Sequence, residues 1–161
     1  MREIQVSAIT ETVARLCVSA NRHLPADVQE AITRARAVEQ WAPAQEILDR
    51  IRENYQIAAN NEVAICQDTG MACVFLEIGQ DVHLVGDLKE AVNEGVRQGY
   101  AQYLRKSVVR DPLDRVNTGD NTPAMLYTDL VPGDQVKITV APKGFGSENM
   151  SQIKMLKPSD G

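Results

Sequence analysis

Asn60-Asn61-Glu62-Val63-Ala64-Ile65-Cys66-Gln67-Asp68-Thr69-Gly70-Met71-Ala72-Cys73-Val74-Phe75-Leu76-Glu77-Ile78 is where the chain changes character. The Asn pair tolerates left-handed backbone and ends what precedes it. Cys66 to Gly70 is polar, turn-forming and closed by a glycine, so it reads as a loop. From Met71 the pattern becomes apolar with a period of two. Ala72, Val74, Leu76 and Ile78 fall on one face, and Met71, Cys73 and Phe75 on the other, which predicts a strand buried on both sides.

Upstream, the period is helical. Ile9, Val13, Leu16, Cys17 and Ala20 recur at spacings of three and four between Ile4 and Ala20, the mark of one amphipathic face. Pro25 suits a helix start, and Val28, Ile32 and Ala35 continue at helical spacing toward Val38. A third helix is predicted from about Pro43 to Ala59, with Ile47, Leu48, Ile51 and Tyr55 inward. The first 60 residues are therefore expected to be helical.

Downstream, Asp87 as N-cap and Glu90 three residues on resemble a capping box and open a helix from Leu88 to about Leu104, carrying Ala91, Val92, Val96 and Tyr103. Asp111 to Pro123 is rich in Pro, Asn, Asp and Gly and reads as a long irregular loop, of the kind that is usually functional or disordered. Ala124 to Val131 and Asp134 to Ala141 look like strands, and Pro132-Gly133 between them predicts an antiparallel hairpin. The expected fold is α+β in one domain over residues 1–161: a helical part to residue 60, then an α/β part from 61 with a mixed sheet and a β-hairpin.

The 161 residues, 43% of them hydrophobic, are enough to bury a core, and 17 Lys and Arg against 22 Asp and Glu give a net charge of −5. That balance excludes the broad basic face on which nucleic-acid affinity depends. Met1-Arg2-Glu3 lacks the pattern of a secretory signal, and the longest apolar run, Met71 to Leu76, is far short of the roughly 20 residues that span a bilayer. A soluble, cytoplasmic protein without membrane association is expected.

The three cysteines lack zinc-site spacing and read as reduced thiols. Cys17 lies on the apolar face of a helix and Cys73 within the strand, so both are expected in the core. Cys66 stands at the mouth of a loop beside a carboxamide and a carboxylate. His23 and His83 have no partner pattern, and neither completes a nucleophile–base pair with Cys66. Arg97, Arg105, Lys106, Arg110 and Arg115 against Asp111 and Asp114 make a locally positive stretch suited to an anion.

Four segments in order resemble the alpha region of class I, iron–sulfur-dependent fumarate hydratases and the similar L-tartrate dehydratases. They are Ile65 to Gly70, Arg105 after Leu104, Asn117 to Ala124, and Pro142 to Asn149, where Phe145 stands in place of a middle glycine. The resemblance is strongest from about Asn60 onward. It implies a four-iron, four-sulfur cluster on three cysteines, of which Cys66 would be one and the other two would lie outside this chain. It also implies substrate contacts from Gln67, Asp68, Arg105 and the backbone at Gly144, with no acid–base residue here.

The implied reaction is hydration of fumarate to (S)-malate, with L-tartrate dehydration as the alternative. The partner would be a beta subunit or C-terminal beta region, in a homo- or hetero-oligomer. On another reading the isolated chain is a noncatalytic fragment or assembly module, with exposed apolar surface where the remainder packs.

Overall fold

A computed structural model describes residues 1–111, 113–146 and 150–160, with the side chain of Asp160 excluded. The expected loop residues Ser147, Glu148 and Asn149 lie outside the described residues. Five strands and four α-helices run in the order β1 (Arg2–Gln5), α1 (Val6–Arg22), α2 (Ala26–Val38), α3 (Ala42–Asn61), β2 (Met71–Gly79), β3 (Val82–Val85), α4 (Leu88–Tyr100), β4 (Met125–Val131) and β5 (Val136–Lys143), with a 3-10 turn at Pro158–Asp160. The fold is α+β, with its helices concentrated first and a mixed sheet after.

The core is one layer of two helices on one face of the three-stranded sheet. Ile9, Val13 and Cys17 of α1 meet Val92, Val96 and Tyr100 of α4 over Ala72, Val74 and Leu76 of β2. The period-two reading of β2 is met on this side, because its even-numbered residues are the buried ones. Gly99 allows α1 and α4 to approach, since a Cβ there would stand 2.8 Å from the Cβ of Cys17 and 2.9 Å from the Ala14 carbonyl oxygen. Asp87 caps α4 by accepting from the Glu90 N–H at 2.9 Å. The Glu90 side chain turns to Arg97 instead of closing the box.

Several expectations are corrected. β4 and β5 run in opposite directions but do not pair as a hairpin: the strand order is β4-β2-β5, with β2 parallel to β4 and antiparallel to β5. The connection is four residues wide, 132–135, and it grips the end of β2 through Gly79 N–H to Gln135 O at 2.8 Å, Gln80 N–H to Val131 O at 2.9 Å and Asp81 N–H to Gly133 O at 3.0 Å. The most apolar strand thus takes the centre, where both edges and its core face are covered. Residues 2–5 are not helical but pair in parallel with β3, forming a separate two-stranded ribbon.

The helices differ in detail as well. α3 extends through Asn61, and the left-handed residue is Glu62 at φ 53°. Of α3, Tyr55 and Ala58 are buried, whereas Ile47 and Ile51, expected inward, are 58% and 41% exposed. α2 buries none of its residues and is tied to α3 by the Arg36–Asp49 ion pair at 2.9 Å, so the α2–α3 pair leaves an apolar flank uncovered. α4 stops at Tyr100, which takes the buried aromatic position expected of Tyr103, itself fully exposed in a left-handed conformation. Cys73 is half-buried, on the sheet face turned away from the helices, because odd-numbered residues of β2 point there.

Candidate functional site

The loop 66–70 enters the sheet at the start of β2 and is held from several sides. Behind it, Ile65 N–H donates to the Asn21 carbonyl at 2.9 Å, and Asn54 Nδ2 donates to Ile65 O at 3.0 Å. In front, the buried Thr69 donates its hydroxyl to the Arg105 carbonyl at 2.7 Å, while Tyr100 OH donates to Thr69 O at 2.9 Å. Gly70 has φ +64°, and a Cβ there would fall 2.1 Å from the Lys143 carbonyl oxygen, so only glycine fits where the loop crosses β5.

Asn121 closes the arrangement. It is fully buried and left-handed at φ 64°; its Oδ1 accepts from Ser107 N–H at 2.8 Å and Val108 N–H at 3.2 Å, and its Nδ2 donates to Gly70 O at 3.1 Å. One amide therefore joins the 66–70 loop, the 105–108 segment and the 117–124 block. The sequence signals Asn121 only as a residue that tolerates left-handed backbone, and nothing in its neighbours announces its burial. Nearby, Asp120 accepts from Thr122 N–H at 3.0 Å and Thr122 Oγ1 at 2.7 Å. Burial acts to raise its carboxyl, but these bonds and one from Thr118 hold it below the usual carboxylate range.

Asp68 and Arg105, 37 residues apart in the sequence, line one cleft of about 530 Å³ together with Met71, Val108, Arg115 and Phe145. Arg105 lies past the end of α4 in an irregular segment, which places it on the cleft and not at a helix terminus. Asp68 is oriented by Phe145 N–H, 3.0 Å from Oδ2, and by Gly70 N–H, 3.3 Å from Oδ1. Gly144 packs against that same carboxylate, since a Cβ on it would lie 2.9 Å from Oδ2. The N–H that the glycine-containing turn aims at a carboxylate is thus that of Phe145, and the carboxylate is Asp68.

Cys66 and Gln67 are exposed at the loop's outer turn and do not line the cleft. The Cys66 sulfur accepts from Asp68 N–H at 3.5 Å and stands 3.7 Å from Gln67 Oε1. Burial pushes the Cys17 thiol up to about 12, which makes it a packed apolar group. His23 and His83 are exposed, and neither is among the lining residues. A second concavity, about 540 Å³ along α3 between Pro43 and Asn54, shares no residue with these loops.

The donor set can be tested against a metal cluster. Among the described residues no three His, Cys, Asp or Glu side chains gather to hold a metal ion. Cys66 suits one corner of such a cluster, being an exposed thiol with a backbone N–H on its sulfur, but the described residues do not complete the set.

The scaffold thus holds the 66–70 loop, with its exposed thiol and its oriented Asp68 carboxylate, beside the Arg105 segment. The chain belongs to the fumarate hydratase (Fumerase) family, whose pattern it matches over residues 10–161. It is 39% identical over 161 residues to a Methanocaldococcus jannaschii protein provisionally named as an L(+)-tartrate dehydratase subunit alpha, a match covering 95% of this chain and 56% of that protein. It is 28% identical over 160 residues to the L(+)-tartrate dehydratase subunit alpha of Escherichia coli strain UTI89, covering 97% of this chain and 53% of that one. The K12 strain's subunit is 27% identical with the same coverage. The chain spans about half the length of the curated relatives it matches. No described helix is long and apolar enough to cross a membrane.

Proposed function

We propose that this chain is the alpha-type portion of a cytoplasmic iron–sulfur hydro-lyase that interconverts fumarate and (S)-malate. The observation that carries the reading is the meeting of Asp68 and Arg105 on one cleft, at the base of the loop that exposes Cys66. In this reading Cys66 is one of three cysteine ligands to a four-iron, four-sulfur cluster. When bound, the cluster supplies a Lewis-acidic iron that stabilises charge developing on the substrate.

The chain's own residues bind and orient. Arg105 pairs with a substrate carboxylate, for which a planar guanidinium offers two parallel hydrogen bonds. Its backbone is fixed to the cysteine loop through Thr69, so the carboxylate site and the ligand loop move as one. Asp68, already held by two backbone N–H groups, orients a hydroxyl at the same cleft; Gln67 contacts substrate from the outer turn, and Gly144 lets the 144–146 turn close on Asp68. The acid–base groups come from the partner, a beta subunit or beta region.

L-Tartrate dehydration is the second reading, favoured by the names of the relatives. Co-expression with the remaining alpha and beta portions, anaerobic cluster reconstitution, and assay of malate from fumarate against oxaloacetate from L-tartrate decide between the two. Turnover of neither, by an assembled and cluster-loaded protein, refutes both.

A further inference from the structure

Two faces of α3 are apolar, and only one of them is used within the chain. Tyr55 and Ala58 turn inward, whereas Ile47 and Ile51 stand on a face that nothing covers. The concavity of about 540 Å³ on that bare face is lined by Pro43, Glu46, Ile47, Arg50, Ile51 and Asn54, all on neighbouring turns of this one helix. It is therefore a groove along a single helix, and α2, tied to another side of α3 through Asp49, contributes nothing to it.

The pattern along the groove reads the same in reverse. The exposed large apolar residues of α3 and its N-cap are Trp41, Ile47, Ile51 and Ile57, which lie two and eight positions to either side of position 49. Two such helices laid antiparallel about a two-fold axis at that level bring Ile47 of one copy beside Ile51 of the other, and Trp41 level with Ile57. The charges obey the same symmetry. Glu46 lies one turn before Arg50, and across the seam the two differ in level by about 3 Å of helix rise, within reach of their side chains. A face with an acid toward one end and a base toward the other is complementary to its own reverse. Glu46 makes no ion pair with a described residue, and the Arg50–Glu53 pair, at 2.8 Å, is exposed and of the kind that contributes little. Asn54, the remaining polar residue of the lining, already donates to Ile65 O at 3.0 Å.

We infer that the bare face of α3 is an interface for a second copy of this chain, which lays its own α3 antiparallel across the groove. The seam is one helix long, about 30 Å, and lies at the small end of specific interfaces, so the dimer is reversible and depends on concentration. An unrelated polypeptide filling the groove would need apolar residues, but would have no reason to match a spacing and a charge order that are symmetric about one point of α3 itself.

Sedimentation equilibrium of the full chain over a range of concentrations reads the dimer directly and needs neither cluster nor activity. Glu46→Arg sets like charge against Arg50 of the other copy, and Arg50→Glu does the same against Glu46. Each should raise the dimer Kd by about tenfold or more. Combining the two substitutions restores opposite charges across the seam and should return Kd to within about threefold of the unaltered chain. Ile47→Asp should abolish the dimer; all three positions are exposed, so the thermal unfolding of each variant should match the unaltered chain. A chain that stays monomeric at high concentration overturns the inference, as do single reversals that leave Kd unchanged or a double variant that associates no better than either single one. Loss of binding to the beta portion in Ile47→Asp, with the dimer retained, assigns the groove to that partner and overturns the inference as well.

Discussion

Replacing Asn121 tests the scaffold of the site directly. Asn121→Ala strips partners from Ser107 N–H, Val108 N–H and Gly70 O, all within a region where the side chain is fully buried. Each buried group left unpaired costs about 1–3 kcal/mol. The 3.2 Å bond to Val108 is the weakest of the three, and Ser107 is half-buried, so water can replace part of its loss. Taken together with a left-handed alanine, the expected loss is about 4 kcal/mol, against total stabilities of about 5–15 kcal/mol for domains of ordinary size.

In thermal unfolding at neutral pH this corresponds to a fall in Tm on the order of 10 °C. Asn121→Gly removes the same hydrogen bonds without the backbone penalty and should recover only about 1 kcal/mol. Amide exchange at Ser107 and Val108 should accelerate in both variants. A loss below about 1 kcal/mol in Asn121→Gly would refute the reasoning, because it would mean that the amide's three bonds contribute little beyond what water supplies.

Alkylation of the folded chain by iodoacetamide at mildly alkaline pH should modify Cys66 rapidly and Cys17 only after denaturation, read by peptide mass spectrometry; equal labelling would contradict their exposures. Burial raises both the Cys17 thiol, from 9.0, and the Tyr100 phenol, from 10.0, to about 12. Both acids then ionise in the unfolded chain first, so stability should be unaffected below pH 9 and decline as pH rises from about 9 toward 12; Cys17→Ala should shallow that decline in denaturant titrations, and an unchanged slope would count against it. The chain alone, supplied anaerobically with iron and sulfide, should neither retain a four-iron cluster by absorbance nor hydrate fumarate, because it exposes a single loop thiol. Activity from the chain alone would overturn the reading of it as one portion of a larger assembly.

The parts of the fold legible in the sequence are those in which local period and tertiary burial agree. β2 shows its core face through alternation, α1 shows Ile9, Val13 and Cys17 at helical spacing, and Asp87 announces the start of α4. What was not legible depends on distant partners. β1 becomes a strand because Val82–Val85 lies beside it, some 80 residues away, and four residues carry too little pattern to signal this. The Pro132-Gly133 signal marks a reversal correctly but says nothing of which strand lies between the two arms.

Ile47 and Ile51 have the spacing of a core face and yet remain exposed, since periodicity reports that a face is apolar and not what covers it. For the site, Cys66, Gln67, Asp68, Arg105 and Gly144 come from resemblance, and the structure brings Asp68 beside Arg105 and against Gly144 while leaving Cys66 and Gln67 on the outer turn. Asn121 and Thr69 carry no individual signal in the sequence, because their importance lies in contacts across 14 to 51 residues of chain, while Arg115 shows there only as one cation of a locally positive stretch and the structure places it on the same cleft as Arg105.

The central place of β2 has a consequence for how the site comes into being. Its first residues face the end of β5 and the start of β4, so the 66–70 loop, the 144–146 turn and the 121–124 block all emerge at one end of the sheet. None of these loops can find the others through the short β4–β5 connection, because the two arms must first admit a strand made some 50 residues earlier. Contacts of that sequence separation form slowly and together. A nascent or partly unfolded chain therefore displays the cysteine loop without the Phe145 N–H that orients its Asp68 carboxylate and without the Arg105 guanidinium beside it. Completion of the sheet acts as the checkpoint: the 66–70 loop meets the 144–146 turn only in a chain that has already committed to its native topology.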